Sequence, residues 1–179
     1  MIDAWQAVVL ALVQGLTEFL PVSSSAHLLF HSLLLGWPDQ GLAFDVAVHF
    51  GTLLAVVVYY RSELIRLAVH SSSLFRGSPD DDGWECLYLA IATLPAVAAG
   101  LLLNDAIDTL RSLQVVAGAT VFFALVLLFA DRARVARRRE RVNSVGAALL
   151  IGCAQALALI PGTSRSGITI SACLLLGLS

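Results

Sequence analysis

The chain has 179 residues, 58% of them hydrophobic and 13% charged, with a mean hydropathy of +0.84. That is too apolar for an ordinary soluble domain and indicates an all-α integral membrane protein. The formal net charge of −2 conveys little, and no nucleic-acid partner is expected; all eleven basic residues are arginines, and their placement carries the information.

The chain opens Met1-Ile2-Asp3-Ala4-Trp5, without the basic stretch of a signal peptide, so no cleavage is expected. A stretch of spanning length from Ile2 to Leu20 is broken at Pro21 and followed by a shorter apolar run, Ala26 to Leu35. Proline cannot continue the hydrogen-bond ladder, and three serines follow it. Residues 1–36 are therefore expected to form a re-entrant helical hairpin. Within it, Gln14 and Glu18 lie four apart on one helix face, and a carboxylate at membrane depth is costly enough to be functional by default. Their oxygens suit a hard cation such as Mg²⁺ or Ca²⁺, although two ligands alone do not make a site. Ser24 and His27 are three apart, and a hydroxyl beside an imidazole is the minimal activated nucleophile; the alternative is that Ser23 to Ser25 only cap a helix. His31 is read as a structural histidine.

Three spans are expected at 44–60, 85–103 and 114–130, none containing Lys or Arg. Asp45 opens the first, and His49 in it either faces the same cavity as Glu18 or packs against a neighbour. The connection from Arg61 to Trp84 is read as a loop. Asp105 and Asp108 belong to a solvated connection, and Asp131 to Asn143 carries six arginines. The excess of arginine puts 131–143 and 61–84 in the cytoplasm and leaves 104–113 and the Gly36–Asp39 turn outside. Cys86, Cys153 and Cys173 stand singly and read as packing residues.

After Val142 the shape of the first hairpin recurs over 144–179: an apolar helix to Ile160, a break at Pro161-Gly162, and a second apolar run from Ile168 to Leu178. The two breaks, Pro21-Val-Ser-Ser-Ser-Ala26 and Pro161-Gly-Thr-Ser-Arg-Ser166, look like two copies of one device. Hairpins entering from opposite faces are the signature of an inverted-topology repeat. Arg165, a cation at this depth, needs an anion, either Glu18 or a ligand. With Ser164, Ser166 and Thr169 around it and glycines that allow close approach, it suits a phosphate group. The chain stops in mid-pattern at Leu178-Ser179, so further C-terminal helices are expected to be missing.

Three segments carry a family resemblance: Gln14-Gly-Leu-Thr-Glu18-Phe-Leu-Pro21-Val-Ser-Ser-Ser-Ala-His27, Phe44-Asp45 with His49-Phe-Gly51-Thr52, and Pro161-Gly-Thr-Ser164-Arg165-Ser166-Gly-Ile-Thr169. On these the sequence resembles the bacterial undecaprenyl-diphosphate phosphatases of the bacitracin-resistance (BacA) type. The resemblance implies a multi-pass inner-membrane hydrolase that returns the carrier lipid to envelope synthesis. Its site would be reached from the periplasm and would include a divalent cation. It further implies Glu18, Ser24, His27 and Arg165 as catalytic residues, Ser164, Arg165, Ser166 and Thr169 as the phosphate grip, and Glu18 with Gln14 at the metal. Gln14 stands where the family's motif accepts Glu or Gln, and Ala26 where glycine is common. The partners implied are the polyisoprenyl diphosphate and membrane lipids, with a homodimer possible. Whether Ser24 or water attacks phosphorus stays open, as does a rival reading in which an inverted repeat carries the lipid phosphate across the membrane without cleaving it.

Overall fold

The computed structural model describes residues 2–103, 109–110, 112–133 and 141–178; Asp105, Asp108, Arg111 and the arginines between 134 and 139 fall outside them. The described residues are helical, and no strand occurs among them. In chain order the helices are α1 (Ala4–Thr17), α2 (Ser24–Leu35), α3 (Leu42–Tyr59), α4 (Arg61–His70), α5 (Ser72–Phe75), α6 (Asp81–Leu102), α7 (Leu113–Arg132), α8 (Val145–Ala156) and α9 (Arg165–Leu175), with a 3₁₀ turn at Leu157–Leu159.

Length separates these helices into two kinds. At about 1.5 Å per residue, α6 and α7 are roughly 30 Å long, enough to cross a hydrocarbon layer, and both are apolar enough to do so. By contrast α1, α2, α8 and α9 have 14, 12, 12 and 11 residues, or about 16–21 Å each. None of the four reaches across alone. The third expected span is α3, which meets the requirement only together with α4 and α5, from which it turns by 73° at Tyr60. Exposed side chains such as Leu12, Leu16, Phe50, Leu101 and Phe129 face outward, while few large residues are fully covered, among them Leu10, Leu28 and Val116. Such an outward apolar surface suits lipid. The free cysteines fit it too, with Cys153 exposed on α8 and Cys86 and Cys173 half-covered.

The segment 61–84, expected as a loop, is largely helical. Its charges mask an amphipathic pattern in which Ile65 and Val69 lie on the exposed side, while Arg66 reaches Asp82 at the start of α6 and Glu63 on its own helix. Arg141 also reaches Asp82, at 3.3 Å, tying the entry to α8 to the same point.

Small residues set the closest helix approaches. Gly152 of α8 lies against α6 where Pro95 interrupts the ladder, and a Cβ there would sit 2.4 Å from the Ala92 carbonyl oxygen. Gly162, with φ +93°, is pressed on α7 so that a Cβ would lie 2.3 Å from the Val116 carbonyl oxygen. Thr120 of α7 fixes the same turn by donating to the Gly162 carbonyl at 3.0 Å.

Candidate active site

Each proline break ends in the same local structure. Ser23 caps α2 by accepting from the Ala26 amide, and its hydroxyl lies 3.1 Å from that of Ser25. Ser164 caps α9 by accepting from the Gly167 amide, and its hydroxyl lies 3.0 Å from that of Ser166. A serine cap satisfies one of the orphan amides at a helix start. Registered by their caps, Ser24 and Arg165 occupy the same first helical position. Registered by their prolines, Ser24 would instead match Ser164; the extra residue in the second loop, with Gly162 in its left-handed turn, accounts for the offset.

The two breaks also touch. The Ser166 hydroxyl donates to the Leu20 carbonyl at 2.7 Å, across 146 residues of sequence. Leu20 lies beyond the end of α1, so its carbonyl has no intrahelical partner, and the second motif supplies one. Where the breaks meet, a cavity of about 990 Å³ opens, lined by Glu18, Asp45, His49, Arg165, Ser166 and Thr169 on its polar part and by Leu28, Phe50 and Leu53 among its apolar walls.

The Glu18 carboxylate is the hub. Its Oε2 accepts from the Ser24 hydroxyl at 2.7 Å and from Gln14 Nε2 at 2.9 Å, and lies 3.7 Å from His49 Nε2. Gln14 is fully buried and its Oε1 has no partner; the amide must present its NH₂ to the carboxylate, because two oxygens would repel. His27 stands apart from this hub. Its Nδ1 donates to the Ser23 carbonyl at 2.7 Å, its ring packs edge-on to Phe30, and it does not line the cavity. His31 is buried with neither ring nitrogen hydrogen-bonded, tilted against Trp37.

Arg165 is exposed to the cavity, and no hydrogen bond or carboxylate is recorded to its guanidinium among the described residues. The pairing with Glu18 weighed from the sequence is not formed. Thr169 donates to the Arg165 carbonyl at 2.8 Å and so braces the turn that presents the arginine. No group of three or more His, Cys, Asp or Glu side chains suited to a metal occurs among the described residues.

The structure therefore gathers Gln14, Glu18 and Ser24 into one hydrogen-bonded set, and Ser164, Arg165, Ser166 and Thr169 into a second. His49, which sequence reasoning left evenly balanced between cavity and packing, faces Glu18. The available signal was its distance of four residues from Asp45 on an otherwise apolar helix.

Comparison with known proteins agrees with this arrangement. Residues 7–179 match the family model described as bacitracin resistance protein BacA. The chain is 52% identical, over 181 aligned residues, to an undecaprenyl-diphosphatase of Teredinibacter turnerae (strain ATCC 39867 / T7901), an alignment covering 98% of this chain and 67% of that protein. The chain belongs to the BacA family.

Proposed function

We propose that the chain acts as a membrane hydrolase that dephosphorylates undecaprenyl diphosphate to undecaprenyl phosphate, using the cavity between the two proline breaks. The observation that carries this reading is a cavity with a carboxylate-bound serine hydroxyl on one side and an unpaired arginine on the other. A diphosphate brings the anion that Arg165 lacks, and the serine stands ready to meet phosphorus.

In the mechanism that fits, Arg165 binds the diphosphate through its planar fork. Ser24, oriented by its hydrogen bond to Glu18, attacks the terminal phosphorus. The carrier lipid monophosphate leaves, and water then releases inorganic phosphate from the serine. Most of the acceleration comes from positioning and charge neutralisation. A second version has Ser24 orient a water that attacks directly; oxygen-18 from water appearing in phosphate without a phosphoserine intermediate would select it.

A divalent cation, Mg²⁺ or Ca²⁺, fits if it arrives with the diphosphate. Glu18 supplies one carboxylate whose Oε1 accepts no hydrogen bond, Gln14 holds that carboxylate in place, and Mg²⁺ is commonly completed by substrate phosphates and water rather than by an all-protein cage. When bound, it neutralises charge on the transferring phosphoryl group.

The four short helices, joined in pairs at polar breaks that meet, support two re-entrant hairpins at 1–36 and 144–179, flanking three spans within 44–130, in an inverted repeat. Arginine placement supports an inner-membrane location with the loops at 61–84 and 131–143 in the cytoplasm, and a site reached from the periplasm. Transport of a lipid phosphate is the less favoured reading, because the relative bears the name of a phosphatase and transport has no use for the Ser24–Glu18 hydrogen bond.

The test is phosphate release from a C55 isoprenyl diphosphate in detergent by the full-length protein, with and without divalent cation. Glu18→Ala and Arg165→Ala should each abolish turnover. Normal activity in either variant defeats the assignment.

A further inference from the structure

Of the two imidazoles near Ser24, only one faces the shared cavity. His27 is turned to its own helix by the bond to Ser23. His49 is held the same way at one end, its Nδ1 donating to the Asp45 carbonyl at 2.7 Å. A carbonyl can only accept, so Nδ1 carries hydrogen, and in the neutral ring Nε2 has the lone pair. That lone pair is directed at Glu18 Oε2, 3.7 Å away, the same oxygen that accepts the Ser24 hydroxyl. Ser24, Glu18 and His49 thus form a line through a single carboxylate oxygen.

We propose that His49 is the proton store of this site: the proton released by Ser24 passes to Glu18 Oε2 and is held on His49 Nε2. The proposal rests on Ser24 as nucleophile. In the first step the Ser24 O–H bond breaks, the Oγ–P bond forms and the bridging P–O bond breaks, so that the carrier lipid phosphate leaves with the electron pair. The proton ends on His49. In the second step water bonds to phosphorus, the P–Oγ bond breaks, and His49 returns the proton to Ser24 through Glu18, while both hydrogens of the water leave on inorganic phosphate. A carboxylate alone is a weak resting place for this proton near neutral pH; an imidazolium beside that carboxylate is a good one.

The charged and titratable groups facing His49 are Glu18 beyond α1, Asp45 on its own helix and Arg165 from α9. The Asp45 carboxylate accepts from Gln40 Nε2 at 2.6 Å. Arg165 is answered by the diphosphate when substrate is bound. The acid-side titration of kcat therefore belongs to the Glu18–His49 pair. Because His49 acts on Ser24 through Glu18, it is a positioning residue, and its mark is a pH dependence rather than a contact.

The experiment is kcat and KM against pH for the full-length, cation-saturated enzyme as wild type, His49→Gln, His49→Asn and His27→Gln, with thermal midpoints recorded for each. His49→Gln and His49→Asn should lower kcat by about 10²-fold, leave KM within a few-fold and flatten the fall of kcat on the acid side. His27→Gln should keep that fall whatever its effect on rate. The proposal is overturned if folded His49 variants keep the wild-type acid limb, or if His27→Gln removes it. Ser24→Ala separates the premise: wild-type turnover in that variant defeats the nucleophile assignment, whereas a wild-type acid limb in the His49 variants defeats the proton store alone.

Discussion

Arg165 stands at the first position of a capped helix, its turn braced by Thr169 and its neighbour Ser166 bonded to the other half of the site. This arrangement fixes a rigid fork, so the gain over a point charge is geometric. Arg165→Ala is expected to lower kcat by at least 10²-fold, the scale seen when one preorganised donor is removed, and Arg165→Lys to recover only a small part of it, measured as phosphate release. Lysine at wild-type level would mean that charge alone suffices. Glu18, Ser24 and Arg165 were legible in the sequence because each is a polar group at a depth where polarity is expensive. His49 was not separable from a packing residue, since the periodicity of one helix does not say which neighbour it faces. The partner of the Ser24 hydroxyl was unreadable for the same reason, Glu18 and His27 lying at similar distances along the chain.

At the scale of helices, backbone proximity and surface clasps set the frame. Gly152→Ala forces α6 and α8 apart, since the new Cβ would press on the Ala92 carbonyl and the Pro95 ring. A loss of about 1–3 kcal/mol is expected, read as a lower thermal midpoint in detergent. On the arginine-rich side, Asp80 caps α6 by accepting from the Gly83 amide at 2.8 Å and takes His70 Nδ1 at 2.5 Å and the Ser73 hydroxyl at 3.2 Å, fastening α4 and α5 to α6. The bond from His70, and then that from Gly83, hold its carboxyl below the usual carboxylate range. A depressed folded-state value means that this contribution is present above the ordinary carboxylate range and is lost as pH falls through the lower folded value. The difference in thermal midpoint between wild type and Asp80→Asn should therefore be present at neutral pH and close below about pH 4. The proline breaks and the two long spans were readable from apolar length and helix-breaking residues. The α4 helix was not, because its charges, taken as loop signals, are spent on partners in α6.

For the molecule as a whole, orientation follows from one asymmetry. Tyr59, Tyr60 and Trp84 cluster near Arg61 and Arg66, the aromatic ring expected where a helix leaves the hydrocarbon. The turn at Tyr60 sends α4 sideways, its exposed Ile65 and Val69 suited to lie along a bilayer surface. On a cysteine-free background, a cysteine at Ser72 should react with a membrane-impermeant reagent only from the cytoplasmic side, and one at Asp39 only from outside. The reverse pattern would invert the orientation. Arginine counts carried this much of the architecture. The meeting of the two breaks was expected from their likeness, but the bonds that join them depend on atoms that no pattern of residue types specifies.

The bond from Ser166 to Leu20 also dictates an order of events during synthesis. At about 5–20 residues per second, the ribosome delivers residue 166 on the order of ten seconds after residue 20. Through that interval the nascent first hairpin holds an unanswered carbonyl beside Glu18, in a solvent that offers no hydrogen bonds. Biogenesis must keep this segment in contact with water or with a chaperoning surface until the second hairpin arrives. Chains arrested before residue 160 should therefore be cleared by membrane proteases faster than chains arrested after residue 175, as a pulse-chase measurement in cells would show.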